Sequence, residues 1–151
     1  MARATVRGDK EIIANIRRAQ RSIGGGFLDR TLHDSLEPMK ERTEANALRL
    51  RQPGNPRGGH LDQGVVIAKH KQRGSAHREF WVSFRNRARK LAHLVEFGTA
   101  PHWQPRRGRM HPGARAKPFF RPAFEAEKEG VAAHIGRRVW EQIARSLKGA
   151  R

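Results

Sequence analysis

Leu94-Val95-Glu96-Phe97-Gly98-Thr99 and Pro118-Phe119-Phe120-Arg121-Pro122-Ala123-Phe124 are the two stretches from which the fold can be read. The first closes a short helix: an apolar turn runs into glycine, the residue that most readily takes the positive φ found at helix ends. The second opens a long helix, with two phenylalanines ahead of Pro122, a residue tolerated only in a helix's first turn. Together they read as a corner where three elements meet. Glu96 is out of place in it. A carboxylate in a last turn sits at the negative end of the helix dipole, a loss of about 0.3–1 kcal/mol. A compensating basic partner such as Arg121 is expected, the alternative being a glutamate left in solvent.

Beyond the corner, Phe124, Val131, Ile135, Val139, Ile143 and Leu147 hold one helical face, and Trp140 widens it. Glu125, Glu127 and Glu129 favour the positive end of this helix, and Arg145 and Lys148 the negative end. Before the corner, Asn86 can cap a helix from Arg87 to Glu96 whose apolar side is Ala88, Leu91, Ala92, Leu94 and Val95. Two strands precede it. Val65-Val66-Ile67-Ala68-Lys69 is β-branched, and Phe80, Val82 and Phe84 alternate with Glu79, Trp81 and Ser83. Arg73-Gly74-Ser75 between them suits an antiparallel connection, and Gln52 to Gly59 is a loop by composition.

The N-terminal third is helical. Asp9 can cap a helix carrying Ile12, Ile13, Ile16 and Ile23, which Gly24-Gly25-Gly26 ends. In the next, Leu28, Leu32, Leu36, Met39, Ala47 and Leu50 hold one face, with Thr43 in the missing step. The phase runs through Pro38 without a slip, so one kinked helix is predicted rather than two. Its other face, with Arg30, Lys40, Glu41, Arg42, Glu44 and Arg49, reads as a solvated mixed-charge surface.

The expected fold is α+β: two N-terminal helices, a small antiparallel β-sheet, and a long C-terminal helix packed on the sheet. One domain, 1–151, divides into an arm at 1–8, a helical region at 9–51, sheet and short helix at 60–97, a basic loop at 98–118, and the C-terminal helix at 119–148. The chain is large enough to bury a core without staples. Its hydrophobic content is 36% and its mean hydropathy −0.81, so that core is lean and part of the surface is left for partners.

Charge says most about partners. Thirty-two Lys and Arg against fourteen Asp and Glu leave +18, which points to a polyanion or an acidic protein neighbour. The 98–118 segment concentrates this, with Arg106, Arg107, Arg109, Arg115 and Lys117, no acid, and Trp103 as an anchor. It reads as an arm reaching for phosphates or for an acidic groove. There is no cysteine, which excludes disulfides and thiolate metal sites. No apolar run approaches the ~20 residues that cross a bilayer, and no signal-peptide region opens the chain, so neither membrane contact nor export is expected.

Catalytic chemistry finds little footing. Eight histidines invite a metal, but no pair has the zincin spacing with its glutamate. Asn86 with His70 or His93 lacks the ββα setting of a His-Asn-His nuclease. No serine lies in a nucleophile elbow, and the glycine run lacks the Gly-Lys-Ser/Thr of a phosphate loop. The expectation is a protein that binds, with no enzyme activity, metal or cofactor.

Val-Glu-Phe-Gly-Thr followed by Pro-Phe-Phe-Arg-Pro-Ala, leading into a C-terminal helix, resembles the neck or tail-completion (minor tail) family of long-tailed, lambda-like bacteriophages. The likeness is strongest from about Leu91 to Ala126. It implies a structural virion protein, made in the host cytoplasm and placed at the neck of the tail. There a ring of six or twelve copies would meet other neck, connector and tail-tube proteins, and the genomic DNA end. It also implies that Glu96, Phe97, Gly98, Thr99, Pro118, Phe119, Phe120, Arg121 and Pro122 fix the corner that docks the last helix. A nucleic-acid-binding protein, or less readily a nuclease, is the alternative.

Overall fold

The structure is a computed structural model and describes residues 8–51, 60–70 and 78–148. Helix α2 (Gly25–Arg49) lies between the C-terminal helix and the first strand pair. On one flank lies helix α4 (Phe120–Lys148), and on the other strands β1 (Val65–Lys69) and β2 (Phe80–Phe84). Cross-contacts show that α2 and α4 run antiparallel. Asn46 Nδ2 donates to the Phe119 carbonyl at 3.0 Å, Arg42 pairs with Glu127, and Ser35 Oγ meets His134 Nδ1 at 3.0 Å. On the sheet side Asp29 pairs with Lys69 and Arg78, and His33 stands edge-on to Phe80.

The buried stripe of α2 is Thr31, Ser35, Met39, Thr43 and Ala47. Met39, Thr43 and Ala47 lie where the spacing predicts, but in the N-terminal half Thr31 and Ser35 are buried in place of Leu28, Leu32 and Leu36, which are only half-buried. The reason is that α2 is covered on two flanks, so small side chains occupy the closest helix–helix approach and the leucines lie beside it. Hydroxyls survive there because each is satisfied. Ser35 Oγ donates to the Thr31 carbonyl at 2.5 Å and Thr43 Oγ1 to the Met39 carbonyl at 2.7 Å, the i−4 bonds open to helical Ser and Thr. With its single proton so used, Ser35 accepts the Nδ1–H of His134. Arg42 is not merely solvated, because its guanidinium ties α2 to α4. Pro38 lies inside one uninterrupted helix, as the phase predicts.

Helix α1 (Asp9–Ser22) packs on α4 and buries none of its residues. Asp9 does not cap it: Gly8 holds the cap position with φ 96° and no side-chain bond is made there. The first helix ends just before the three glycines, as expected. Gly24 alone is extended, and Gly25 already begins α2, where the Arg78 guanidinium occupies the space a Cβ would need.

β1 and β2 pair antiparallel, Val65 opposite Phe84 and Ile67 opposite Val82. Their expected link at Arg73-Gly74-Ser75 lies outside the described residues, as do the 52–59 loop and most of the 1–8 arm. A 3₁₀ turn (Asp62–Gly64) leads into β1, and Arg85 N donates back to the Gly64 carbonyl at 2.8 Å. Helix α3 (Asn86–Phe97) follows. Asn86 is its first residue, not its side-chain cap, and takes φ 56°, a region that Asn enters more readily than most residues. The core gathers Ala47, Leu61, Ala88, Ala92 and Phe119. Phe84 of the sheet lies edge-on to Phe119 and Phe120, with centroids 5.6 and 6.2 Å away, which seats the start of α4 on the sheet.

Candidate functional site

The 94–99 and 118–124 stretches are joined by one side chain. Glu96 is buried, and its Oε2 accepts the amides of Phe119 and Phe120 at 2.9 Å each. Its Oε1 accepts the amide of Arg121 at 3.0 Å. The first four N–H groups of a helix lack intrahelical partners. In α4 these belong to Phe119, Phe120, Arg121 and residue 122, and residue 122 is a proline with no N–H. One carboxylate therefore satisfies every free donor at that end. The residue that is misplaced at the end of α3 is well placed at the start of α4, where the dipole favours an anion. The partner is the backbone amide of Arg121 and not its guanidinium.

The rest of the corner is backbone. Lys117 N donates to the Val95 carbonyl at 2.8 Å, and Thr99 and Ala114 exchange a pair of bonds at 2.9 and 3.0 Å. Gly98 ends α3 at φ 74°, ψ −175°, a conformation essentially restricted to glycine. A Cβ there would lie 2.5 Å from the Ala114 carbonyl oxygen. Gly98→Ala should cost about 1–3 kcal/mol, read as a lower thermal midpoint. Pro118, Arg121 and Pro122 are exposed, and Arg121 serves through its backbone amide. Phe97 departs from expectation. It is 78% exposed, so it does not hold the corner.

Residues 98–118 are not an open loop. From the Thr99–Ala114 bridge a hairpin rises, β3 (His102–Gln104) against β4 (Arg109–His111), joined by a 3₁₀ turn (Pro105–Arg107) and by Gly108 at φ 60°. Seven residues at about 3.3 Å each carry the tip roughly 20 Å from its base. Trp103 and Met110 are directly opposite, share one face and are both more than half exposed. On the other face His102 and His111 stack with centroids 5.0 Å apart. Arg106, Arg107 and Arg109 lie exposed at and beside the tip, and Arg115 and Lys117 near its root. The strand signal was present in the sequence. It lay in Pro-Arg-Arg-Gly, a four-residue connection ending in glycine, while the flanking His-Trp-Gln and Arg-Met-His hold a single strong β-former, Trp103.

No protein-family model, curated protein or solved structure matches the chain.

At the root of the hairpin, between α3 and the first turn of α4, lies an open and largely apolar cleft of about 410 Å³. Phe97, Phe120 and Phe124 line it, and Arg89, His93 and Arg121 stand around it. Its single acid, Glu96, is already occupied by the three amides. Sequence reasoning named Phe97, Phe120 and Arg121 as corner residues and missed Arg89, His93 and Phe124 as lining of a surface. Periodicity places Phe124 on the inner face of α4 but does not say where the neighbouring helix stops covering it.

Among the described residues no three His, Cys, Asp or Glu side chains converge as a metal-binding group, and no helix is long and apolar enough to cross a membrane. Among the described residues His102 stacks on His111, His70 meets Trp81 and Glu79, and His33 lies near Asp34 and Glu37. The geometry offers surfaces: a basic hairpin with an aromatic face, and a phenylalanine cleft ringed by cations.

Proposed function

We propose that the chain is a structural protein of the neck of a long-tailed bacteriophage, assembled as a ring where the tail meets the capsid connector, and that it works by binding. The observation that carries this reading is the Glu96 contact. The two segments that resemble the tail-completion family are one physical unit, a carboxylate holding three amides, and from that unit spring both the basic hairpin and the cleft. A lean core with large apolar side chains left in solvent fits a subunit whose surface is completed by neighbours. Purified virions should contain the chain at a fixed small copy number, six or twelve per particle if the ring follows the family. Mass-spectrometric counting measures this, and its absence from virions would sink the reading.

A second reading, binding to nucleic acid, is favoured by Trp103 standing among arginines on a projecting hairpin, the combination that tracks phosphates and stacks bases. Salt separates the two. For a dedicated duplex binder the logarithm of affinity falls linearly with the logarithm of salt, and Arg106→Ala with Arg107→Ala should flatten that slope by about 2. For a neck protein only weak, sequence-blind retention is expected.

A further inference from the structure

The hairpin of β3 and β4 has two faces of different chemistry. On one, His102 and His111 stack on each other and are tied to the backbone. His102 Nδ1 donates to the Ala100 carbonyl and Gly113 N donates to His111 Nδ1, each at 3.0 Å. On the other face Trp103 and Met110 lie directly opposite, 56% and 59% exposed. No aromatic or cationic side chain among the described residues stacks on the Trp103 indole. Cross-strand partners hold their Cβ atoms about 5 Å apart, so the indole and the thioether form one apolar platform on the ribbon.

The surroundings of this platform carry one sign of charge. Arg106, Arg107, Arg109, Arg115 and Lys117 are all exposed, and none makes an ion pair among the described residues. No Asp or Glu occurs between Glu96 and Glu125, and Glu96 is buried and taken by three amides. The other two tryptophans differ. Trp81 stacks on His70, which pairs with Glu79, and Trp140 is followed by Glu141.

Charge alone would suit any polyanion, and the platform narrows the choice. Acidic side chains or the phosphates of a duplex would engage the arginines and leave the indole in water, because duplex bases stack on one another and show only their edges in the grooves. A single strand presents both groups at once, phosphates for the arginines and an unstacked base for the indole. Three residues of chain, at most about 10 Å, separate Trp103 from Arg106, so a stacked base and a nearby phosphate are within reach of one ribbon.

We infer that the hairpin is a binding element for single-stranded nucleic acid, with Trp103 and Met110 stacking a base and Arg106 and Arg107 holding adjacent phosphates. The contact is blind to sequence, because every base has a π-face. The inference rests on the nucleic-acid reading above and names the form of nucleic acid recognised.

The test uses the full chain at low salt and follows, by fluorescence anisotropy, a labelled oligo(dT) of about 20 nucleotides, longer than one site, and its duplex with oligo(dA). Trp103→Ala alters an exposed residue, and circular dichroism should show an unaltered fold. It should weaken oligo(dT) binding by at least about fivefold, the loss of one stacked base, and leave duplex binding unchanged. Trp103→Phe keeps a ring and should retain most of the affinity. Arg106→Ala with Arg107→Ala should weaken both complexes and lower the salt slope on oligo(dT) by about 1.4. In a chain with Trp81→Phe and Trp140→Phe, the remaining indole of Trp103 should be quenched by oligo(dT) and not by the duplex. Equal loss of both complexes in Trp103→Ala, loss of neither, or an unquenched Trp103 overturns the single-strand assignment and leaves nucleic-acid binding in place. Displacement of oligo(dT) by polyglutamate as readily as by unlabelled oligo(dT) of equal charge also overturns it, in favour of an acidic protein. A chain that retains neither probe overturns both this inference and the nucleic-acid reading, whereas the neck reading is decided by virions alone.

Discussion

Glu96→Ala should lower stability by about 3–5 kcal/mol, since each hydrogen bond to a charged group contributes about 1.5–3 kcal/mol and three are lost, less than additively. It deletes three charge-assisted bonds at 2.9 to 3.0 Å and leaves the buried Phe119 amide with no acceptor. For a domain of this size each kcal/mol moves the melting midpoint by about 2–4 °C, so a fall of about 10 °C or more is expected. Glu96→Gln keeps the shape and is the sharper test. Its one carbonyl oxygen can serve Phe119 and Phe120, but its NH₂ then faces the Arg121 N–H, donor against donor. That variant should lose about 2 kcal/mol, one charged hydrogen bond's worth. Arg121→Ala keeps the backbone amide and should change the midpoint little. An unaltered midpoint for Glu96→Gln, or a large fall for Arg121→Ala, would falsify the amide cap and favour a side-chain ion pair.

Glu96 also shows how far a sequence can be read here. Its oddity was legible: a carboxylate at the wrong end of one helix demands a partner. The partner's nature was not, because backbone amides carry no letter in the sequence, and the basic side chain of Arg121 drew attention to itself. Elements set by local periodicity came through with small boundary differences, namely α2 through Pro38, α4 from the Phe-Phe-Arg-Pro run, and β1 with β2. Elements set by tertiary covering did not. The stripe of α2 was placed on its leucines because hydrophobicity marks apolar side chains. In its first half the buried positions are instead Thr31 and Ser35; the Ser35 hydroxyl, like that of the expected Thr43, is satisfied by a carbonyl one turn back. The isoleucines of α1 were read as one helical face, rightly, yet that face lies in solvent. A periodic pattern shows that a face is apolar and leaves open whether its cover belongs to the same molecule.

Phe119→Ala is expected to cost about 3–5 kcal/mol, the range for emptying a buried aromatic site. Phe119 is 1% exposed and is the largest of the fully buried side chains. Around it the fully buried core is Ala47, Leu61, Ala88 and Ala92, with Leu50, Phe84, Leu91, Val95 and Phe120 packed against that cluster. Phe119→Leu, which restores most of the volume, should cost about 1–2 kcal/mol, near the limit for volume-conserving swaps. Phe97→Ala, by contrast, should leave the midpoint of the monomer within about 0.5 kcal/mol, as for an exposed site. Denaturant unfolding of the three variants at one protein concentration measures this. A Phe97→Ala loss as large as that of Phe119→Ala would mean that the cleft belongs to the core. The expected split instead leaves Phe119 to hold the fold and frees Phe97, one residue from the buried carboxylate, for contact with another molecule.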